Sequence, residues 1–229
     1  MGNNVLRIVS WNCRNGFTSD KAKAIGFYNA DILVIQECRE SNLEGVKKDW
    51  SERKFHIDEE EKSDLGVAVF SNKYKIAKDE GFKKENRYVI PYNITGAEKS
   101  FVLYVVWTKK PLGKYSSYHT PVYNVLKELP SSAEPIIFIG DFNTGSIQGA
   151  RNARWYEDLS NAFARRGFIN CASKQEWVPT FYKVFNSWLD DHCFASADFK
   201  EKVISFGIGN HDYWKKYSDH CPIIVDFTL

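Results

Sequence analysis

Apolar residues along this chain fall in short runs separated by polar stretches, a pattern typical of strands joined by turns and helices. Residues 5–11 are apolar and β-branched, and they predict a buried strand that ends at Asn12. A helical pattern follows at residues 21–29, and a second apolar run at residues 31–37 ends on a carboxylate. Strand, helix and strand at this spacing predict a crossover unit at the start of the fold.

The same pattern predicts the rest of the elements. Further strands are predicted at residues 65–71, 88–95, 101–108, 134–140, 180–184, 189–195, 203–207 and 222–228. Polar turns separate the first three of these, which predicts a meander. Helices are predicted at residues 120–129 and 152–166, the second with Leu159 and Phe163 on one side. No linker or repeat divides the chain, so we expect one α/β domain over residues 1–229, with packed sheets and outer helices.

Composition places the chain among ordinary globular proteins, since hydrophobic residues make up 43% and charged residues 26%. No apolar run approaches the roughly 18 residues of a membrane span, and the N-terminus lacks a secretory pattern, so we expect a cytoplasmic protein. The five cysteines form no CxxC pair and predict reduced core thiols. The net charge of +2 is too small to indicate a polyanionic partner, although the basic segment 73–114 fits either nucleic acid or plain solvated surface.

Carboxylate, amide and imidazole side chains follow several of the buried runs. The residues at these strand ends are Asn12, Glu37, Asp141, Asn143, Asp191, Asp219 and His220. A strand rooted in a core fixes its terminal side chains, as a functional site requires. Carboxylates brought together stay ionised only where a cation or another partner compensates them. Oxygen ligands without clustered Cys or His favour Mg²⁺ or Mn²⁺ over zinc.

Each of these residues also has a structural explanation when it is taken alone. Asn12 fits the cap of a turn, and the segment from Asp141 has good turn chemistry. Glu37 fits a surface ion pair with Arg39, and His220 fits a satisfied core histidine. Their joint occurrence in one chain favours a site over these separate explanations.

Five ordered segments resemble the endonuclease/exonuclease/phosphatase superfamily, which contains DNase I-like and apurinic endonuclease/exonuclease III-like enzymes. The segments are Ser10-Trp11-Asn12, Ile35-Gln36-Glu37, Gly140-Asp141-Phe142-Asn143, Leu189-Asp190-Asp191 leading to Phe194, and Ser218-Asp219-His220. They span almost the whole chain in the order of the superfamily. The resemblance implies an α/β (α+β) fold of the DNase I type: a four-layer αββα sandwich, two packed mixed β-sheets flanked by helices.

The resemblance also implies a role for each residue. Glu37 resembles the principal Mg²⁺ (or Mn²⁺) ligand, with Asn12 and Asp219 near the metal. Asp141 resembles the residue that orients or deprotonates the attacking water, while Asn143 and Asn12 resemble phosphate contacts. Asp191 and His220 resemble an Asp-His pair, and the choice of Asp141 or His220 as general base stays open.

Two positions depart from the superfamily pattern. The strand at 101–108 lacks the His that many members carry there, and Trp107 or Thr108 takes its approximate place. Trp107 is therefore a candidate substrate contact. His192 follows Asp191 where a Tyr is usual, and we expect it to point to the other side of the strand. Arg87 falls roughly where some members place a phosphate-contacting Arg, although it equally fits a surface residue.

The implied activity is metal-dependent hydrolysis of a phosphate ester, and three substrate hypotheses follow. A nuclease acting on DNA or RNA is favoured by the basic segment and by aromatics that stack on bases. A phosphatase or phosphodiesterase for a small or lipid phosphate ester is the alternative. A catalytically dead binding protein is disfavoured, because Glu37, Asp141 and His220 are all present. We expect a monomer.

Overall fold

The computed structural model describes residues 5–46, 49–57, 64–79, 81–83, 86–96, 100–109, 117–130, 134–143, 150–172, 178–183, 186–199 and 201–229. The strands are β1 (Val5–Asn12), β2 (Ile32–Arg39), β3 (Glu52–Ile57), β4 (Leu65–Ser71), β5 (Lys75–Lys78), β6 (Val89–Thr95), β7 (Phe101–Trp107), β8 (Ile136–Asp141), β9 (Ile169–Asn170), β10 (Phe181–Lys183), β11 (Asn186–Trp188), β12 (Asp191–Ala195), β13 (Val203–Ile208) and β14 (Ile223–Thr228). The helices are α1 (Ser19–Gly26), α2 (Glu40–Gly45), α3 (Thr120–Glu128), α4 (Ala150–Arg165) and α5 (His211–Trp214), with a 3₁₀ helix at Ala197–Phe199.

The first sheet has the strand order β13-β14-β1-β2-β4-β3. Its central strands β1 and β2 run parallel, and α1 crosses between them, which confirms the predicted crossover unit. Its other neighbouring strands pair antiparallel. The parallel pair brings the carboxyl ends of β1 and β2 to one edge, where the side chains of Asn12 and Glu37 lie.

The second sheet has the order β5-β6-β7-β8-β12-β9, with β7 and β8 as its parallel pair. The predicted meander is wrong, because β4 pairs with β2 and β3 in the first sheet while β6 and β7 lie in the second. Six of the seven residues of β4, Gly66–Ser71, are buried, so its backbone N–H and C=O groups need strand partners on both edges. Strands β10 and β11 form a separate two-stranded hairpin beside His220.

Three apolar clusters stack the elements into four layers. The central cluster lies between the sheets and joins Ile8 and Val34 of the first to Val105 and Ile139 of the second. On the outer face of the first sheet, Ala24 and Ile25 of α1 pack against Trp11, Ile35 and Phe70. On the outer face of the second sheet, Leu126 of α3 and Leu159 and Phe163 of α4 pack against Val106, Phe138 and Phe194. Alternate side chains along one strand therefore face opposite layers, and the predicted αββα sandwich is confirmed.

Several elements were not predicted, and they are short or polar. The edge strand β3 has the sequence Glu-Arg-Lys-Phe-His-Ile and no clean apolar alternation. The remaining unpredicted elements are α2, β5, β9, β11, α5 and the 3₁₀ helix at Ala197–Phe199. All five cysteines are free and buried, as expected of core thiols. Among the described helices, none has the length and apolarity that crossing a membrane requires.

Candidate active site

A carboxylate pair and an imidazole form the centre of the site. Asp141 ends β8 and Asp191 begins β12, and the two are direct partners across this antiparallel pair. Asp191 Oδ2 lies 2.9 Å from His220 Nδ1, and potential ligand atoms of Asp141, Asp191 and His220 all lie within 4.8 Å of one another. All three residues are buried. The register of β8 and β12 thus creates the cluster.

Asn12 connects this cluster to the other sheet. Its Nδ2 donates to Asp141 Oδ2 at 3.0 Å and to Glu37 Oε1 at 3.1 Å. Its Oδ1 accepts the N–H of Arg14 at 3.0 Å. Asn12 ends β1 of the first sheet and Asp141 ends β8 of the second, so one amide side chain spans the junction between the sheets.

The side chain of Glu37 lies at this junction because β2 is irregular there. The pairing of β2 with β4 shifts register between Gln36 and Cys38, and Glu37 has a φ of 58°. Such a bulge re-aims a side chain out of the regular alternation. Glu37 Oε2 accepts the N–H of Asn15 at 3.0 Å, and the residue is half-buried. Its carboxylate is therefore both oriented and reachable.

Asn143 is held against Asp141 by the turn that ends β8. With a φ of 48°, its backbone N–H donates to Asp141 Oδ1 at 2.8 Å, and its Nδ2 donates to the carbonyl of Thr108 at 2.8 Å. The turn chemistry expected of this segment is thus present and orients the carboxylate of Asp141.

The segment that carries His220 is tied to the end of β1. Ser218 Oγ donates to the carbonyl of Asn12 at 2.8 Å and accepts the N–H of His220 at 3.1 Å. Trp11 Nε1 donates to the carbonyl of His220 at 2.9 Å. The neighbouring Asp219 is partly exposed and lies 3.6 Å from Arg14 Nε.

Burial and charge change the protonation equilibria in opposite directions at the two central groups. Burial, reinforced by Asp191, raises the pKa of Asp141 to about 7, against the lowering effects of His220 and Asn12. Burial lowers the pKa of His220, but the carboxylates of Asp191 and Asp141 outweigh it and raise the pKa to about 10. Near neutral pH the imidazole is cationic, and Asp141 is able to exchange a proton.

These residues suit a bound cation. Asp191 Oδ1 is buried and has no hydrogen-bond partner among the described residues, and Asp141 is destabilised as a carboxylate. Carboxylate and amide oxygens are the donors that Mg²⁺ prefers. The closely spaced group is Asp141, Asp191 and His220, whereas the resemblance predicts Glu37, Asn12 and Asp219 as the metal set. Because His220 already balances Asp191, the half-buried Glu37 is the more accessible position for a second cation.

Trp107 is the direct neighbour of Asp141 in the pairing of β7 with β8, whereas Arg87 lies just before β6. They line a small cleft together with His56 and Lys109. The Trp107 ring packs into the core between the sheets, and the Lys109 ammonium lies 3.8 Å from its centroid. Arg87 covers the ring of Tyr88 at 5.1 Å. Their predicted substrate contacts stay predictions.

The contacts of Arg39 and His192 bear on two expectations from the sequence, the Glu37–Arg39 ion pair and the direction of the His192 side chain. Arg39 Nε pairs with Asp64 at 2.8 Å, while Glu37 is bound by Asn12 and Asn15. His192 stacks on Tyr156 at 5.1 Å, on the side of β12 opposite to Asp191, as expected from strand alternation.

Sequence reasoning missed two residues that shape the centre. Thr180 Oγ1 accepts the backbone N–H groups of Asp190 and Asp191, both at 3.1 Å. Asp190 is itself buried, and burial together with Asp141 and Asp191 raises its pKa well above the ordinary value. The Asp-Asp pair is visible in the sequence, but the burial of its first member depends on how the hairpin packs.

A sandwich of two sheets with acids, amides and a histidine gathered at one edge defines a phosphoesterase of the DNase I-like class. Residues 9–220 match the family model described as the Endonuclease/Exonuclease/phosphatase family. The chain belongs to this family. The prediction that it is a phosphoric ester hydrolase is therefore confirmed, and such hydrolases are typically metal-dependent. Among curated proteins, none matches the chain.

Solved structures share the fold at low sequence identity. An AP endonuclease from Archaeoglobus fulgidus is 17% identical with a TM-score of 0.75, covering 98% of this chain and 100% of that one. The endonuclease domain of TRAS1, a telomere-specific non-LTR retrotransposon, is 16% identical with a TM-score of 0.72 and 99% coverage of both. The 3′ phosphatase NExo from Neisseria, bound to a product DNA hairpin, is 14% identical with a TM-score of 0.70, covering 98% and 100%.

Proposed function

We propose that this protein is a Mg²⁺-dependent hydrolase of phosphodiester bonds in nucleic acid. The observation that carries the proposal is the pair of hydrogen bonds from Asn12 to Glu37 and Asp141. They place a reachable carboxylate beside a buried group of proton-exchanging residues. Phosphoryl transfer needs such a combination, because a cation must neutralise charge next to a group that activates water.

Glu37 would hold the Mg²⁺ (or Mn²⁺), and Asn12 and Asp219 are the other residues that the resemblance places near the ion. When bound, the ion supplies a Lewis acid that shields the negative charge of a phosphate. The N–H of Asn15 and the Nδ2 of Asn12 orient Glu37 for this role. Asp219 is partly exposed, so its contact with Arg14 can exchange for another partner.

Asp141 is the better candidate for the general base. A base works best with a pKa near the operating pH, and burial raises the pKa of Asp141 to about 7. Burial lowers the pKa of His220, but the carboxylates of Asp191, Asp141 and Asp190 raise it to about 10, so the imidazole is a cation at that pH. It would donate to a non-bridging phosphate oxygen, and Asp191 would hold its ring in place.

Asn143 and Asn12 take different parts in this proposal. Both hydrogens of the Asn12 Nδ2 are used, one by Glu37 and one by Asp141, so Asn12 positions these two carboxylates. Asn143 uses one Nδ2 hydrogen for the carbonyl of Thr108 and keeps a second donor for a phosphate oxygen.

Aromatic rings beside the imidazole favour nucleic acid over a small phosphate ester. The Phe181 ring lies 4.7 Å from the His220 ring and stacks on Trp188 at 5.4 Å. Lys183 adds a cation 5.2 Å from the Phe181 ring. Rings and ammonium groups next to the reacting phosphate suit a base or sugar and a backbone. The AP endonuclease and the DNA-bound 3′ phosphatase of the same fold point to the same substrate class.

The test is cleavage of matched substrates by purified protein with Mg²⁺ or Mn²⁺. The substrates are single-stranded DNA, duplex DNA, abasic duplex, RNA and a panel of small phosphomonoesters and diesters. We expect a nucleic acid to be cut, EDTA to stop the reaction, and both Glu37→Ala and His220→Ala to be inactive. Glu40→Ala is the matched control, since Glu40 is an exposed acid three positions further along the chain.

The substrate profile distinguishes the possible outcomes. Cleavage of small or lipid phosphate esters alone would retain the site and overturn the nucleic-acid assignment. Equal activity of Glu37→Ala and Glu40→Ala would overturn the metal role of Glu37. No hydrolysis of any substrate by protein that binds the ion would overturn the proposal itself.

A further inference from the structure

The loop after β1 has a conformation that ordinary residues rarely adopt. Three consecutive residues have positive φ: Arg14 at 51°, Asn15 at 57° and Gly16 at 105°. The left-handed region is unfavourable for residues with a Cβ, so a run of this kind persists only where its surroundings hold it.

The amide groups of this loop all face the ends of β1 and β2. Cys13 N–H donates to the carbonyl of Gln36 at 3.0 Å, and Gly16 N–H donates to the carbonyl of Glu37 at 2.8 Å. Between them, Arg14 N–H binds the Asn12 side chain and Asn15 N–H binds the Glu37 carboxylate. Successive amides in this conformation form a concave surface that suits anions.

The carbonyl groups of the same loop face the other way and are bound by two cations. Lys21 Nζ donates to the carbonyls of Cys13 at 2.5 Å, Arg14 at 2.7 Å and Gly16 at 3.0 Å. Arg39 Nη1 donates to the remaining carbonyl, that of Asn15, at 2.6 Å. Lys21 is half-buried at the start of α1, and Arg39 ends β2.

We propose that Lys21, assisted by Arg39, is a positioning residue that sets the affinity of the Glu37 site for its divalent cation. By binding three outward carbonyls, the ammonium keeps the loop turned so that its amides face Glu37. Without the Lys21 ammonium, these carbonyls would turn toward water, and the Asn15 N–H would no longer bind the Glu37 carboxylate. This inference rests on the proposed function only in that the cation binds at Glu37.

The charge of Lys21 has a competing effect, because an ammonium repels a divalent cation. That repulsion is weakened because three carbonyl dipoles and the Glu37 carboxylate compensate the ammonium locally. The loss of Glu37 orientation therefore outweighs the relief of charge repulsion, and removal of Lys21 is expected to weaken cation binding.

The test compares Lys21→Met with Lys23→Met, which removes the same charge from an exposed position on the same helix. Mn²⁺ binding is measured by calorimetry and by electron paramagnetic resonance on metal-free protein, without any substrate. We expect Lys21→Met to raise the Kd for Mn²⁺ at least about tenfold, a loss of affinity that is common when a residue supporting a metal ligand is replaced. Lys23→Met is expected to bind like the wild type. Hydrolysis by Lys21→Met should recover at high Mg²⁺, since the groups that perform the chemistry are intact.

The outcomes separate this inference from the proposed function. If Glu37→Ala binds Mn²⁺ as tightly as the wild type, the cation site of the proposed function is refuted, and this inference is refuted with it. Binding that depends on Glu37 but is equal or tighter in Lys21→Met would refute this inference alone. If Lys21→Met does not fold, Lys21→Arg replaces it. A planar guanidinium reaches fewer of the three carbonyls, so an intermediate Kd is expected and a wild-type Kd would refute the inference.

Discussion

Asn12 and Asp141 meet across the junction of the two sheets, with the Asn12 Nδ2 3.0 Å from the Asp141 Oδ2. The two residues are 129 positions apart in the chain, and each is the last residue of a central strand. The same Nδ2 binds Glu37, so a single buried amide fixes the distance between the proposed cation ligand and the proposed general base.

Replacement of Asn12 by Ala removes the donor shared by Glu37 and Asp141. The hydrogen bond from Asn12 lowers the pKa of Asp141, so its loss raises that pKa and moves the acid limb of the pH–rate profile to higher pH. We expect kcat/KM to fall about a hundredfold. Initial rates across the pH range measure both effects, and an acid limb that does not move would contradict this role of Asn12.

Replacement of Asp191 by Asn keeps the shape of the side chain and removes its charge. Burial then lowers the pKa of His220 with less opposition, so the imidazole loses its proton at a lower pH than in the wild type. We expect kcat to fall by about a thousandfold, because a charged donor to the phosphate is lost. Imidazole NMR titration of His220 tests the cause directly, and an unchanged pKa would refute it.

The pKa of His220 also predicts how stability depends on pH. It is raised to about 10 from the ordinary 6.5 by Asp191 and Asp141, against the lowering effect of burial. The folded chain thus keeps a proton that the unfolded chain releases, so this stabilisation is full below pH 6.5 and lost as pH rises through about 10. The group contributes a slope of at most about −1.4 kcal/mol per pH unit. Urea unfolding of metal-free protein should show this slope, and His220→Gln should reduce it.

Thr180 is predicted to stabilise the site through its hydroxyl group. Thr180→Val conserves the shape of this buried side chain and leaves the N–H groups of Asp190 and Asp191 without their acceptor. We expect the free energy of unfolding to fall by about 2 kcal/mol or more. Thr180→Ser, which keeps the oxygen, is the control in urea denaturation. Equal losses for the two variants would assign the effect to packing.

Gly140 is required immediately before Asp141. It has a φ of 145°, and an added Cβ would lie 2.0 Å from the carbonyl oxygen of Val106 on the neighbouring strand. We expect Gly140→Ala to destabilise the fold by more than about 4 kcal/mol. Gly167→Ala, at a φ of 80° with open space around it, should cost only about 1 kcal/mol. Thermal unfolding compares the two, and similar losses would show that the close approach at Gly140 is tolerated.

Many of the strands that the sequence predicted correctly have strong apolar patterns, although the prediction of β13, a strand with two exposed positions, is also correct. The runs that became β1, β2, β7, β8 and β14 are buried, and their periodicity is local information. The meander failed because the pattern of β4 identifies a strand without identifying its partners. A strand pairs with a sheet that offers an unpaired edge, and the position of that edge depends on distant parts of the chain.

The sequence by itself determined the strand pattern, the family, and the identity of the polar residues at the strand ends, since these are properties of short segments. Only the tertiary structure decided that Asp141 faces Asp191, that Asn12 joins Asp141 to Glu37, and that the carbonyls around Arg14 are held by Lys21. It also decided the pKa values of Asp141 and His220. Burial and charge separation set these equilibria, and both are created when segments remote in the chain pack together.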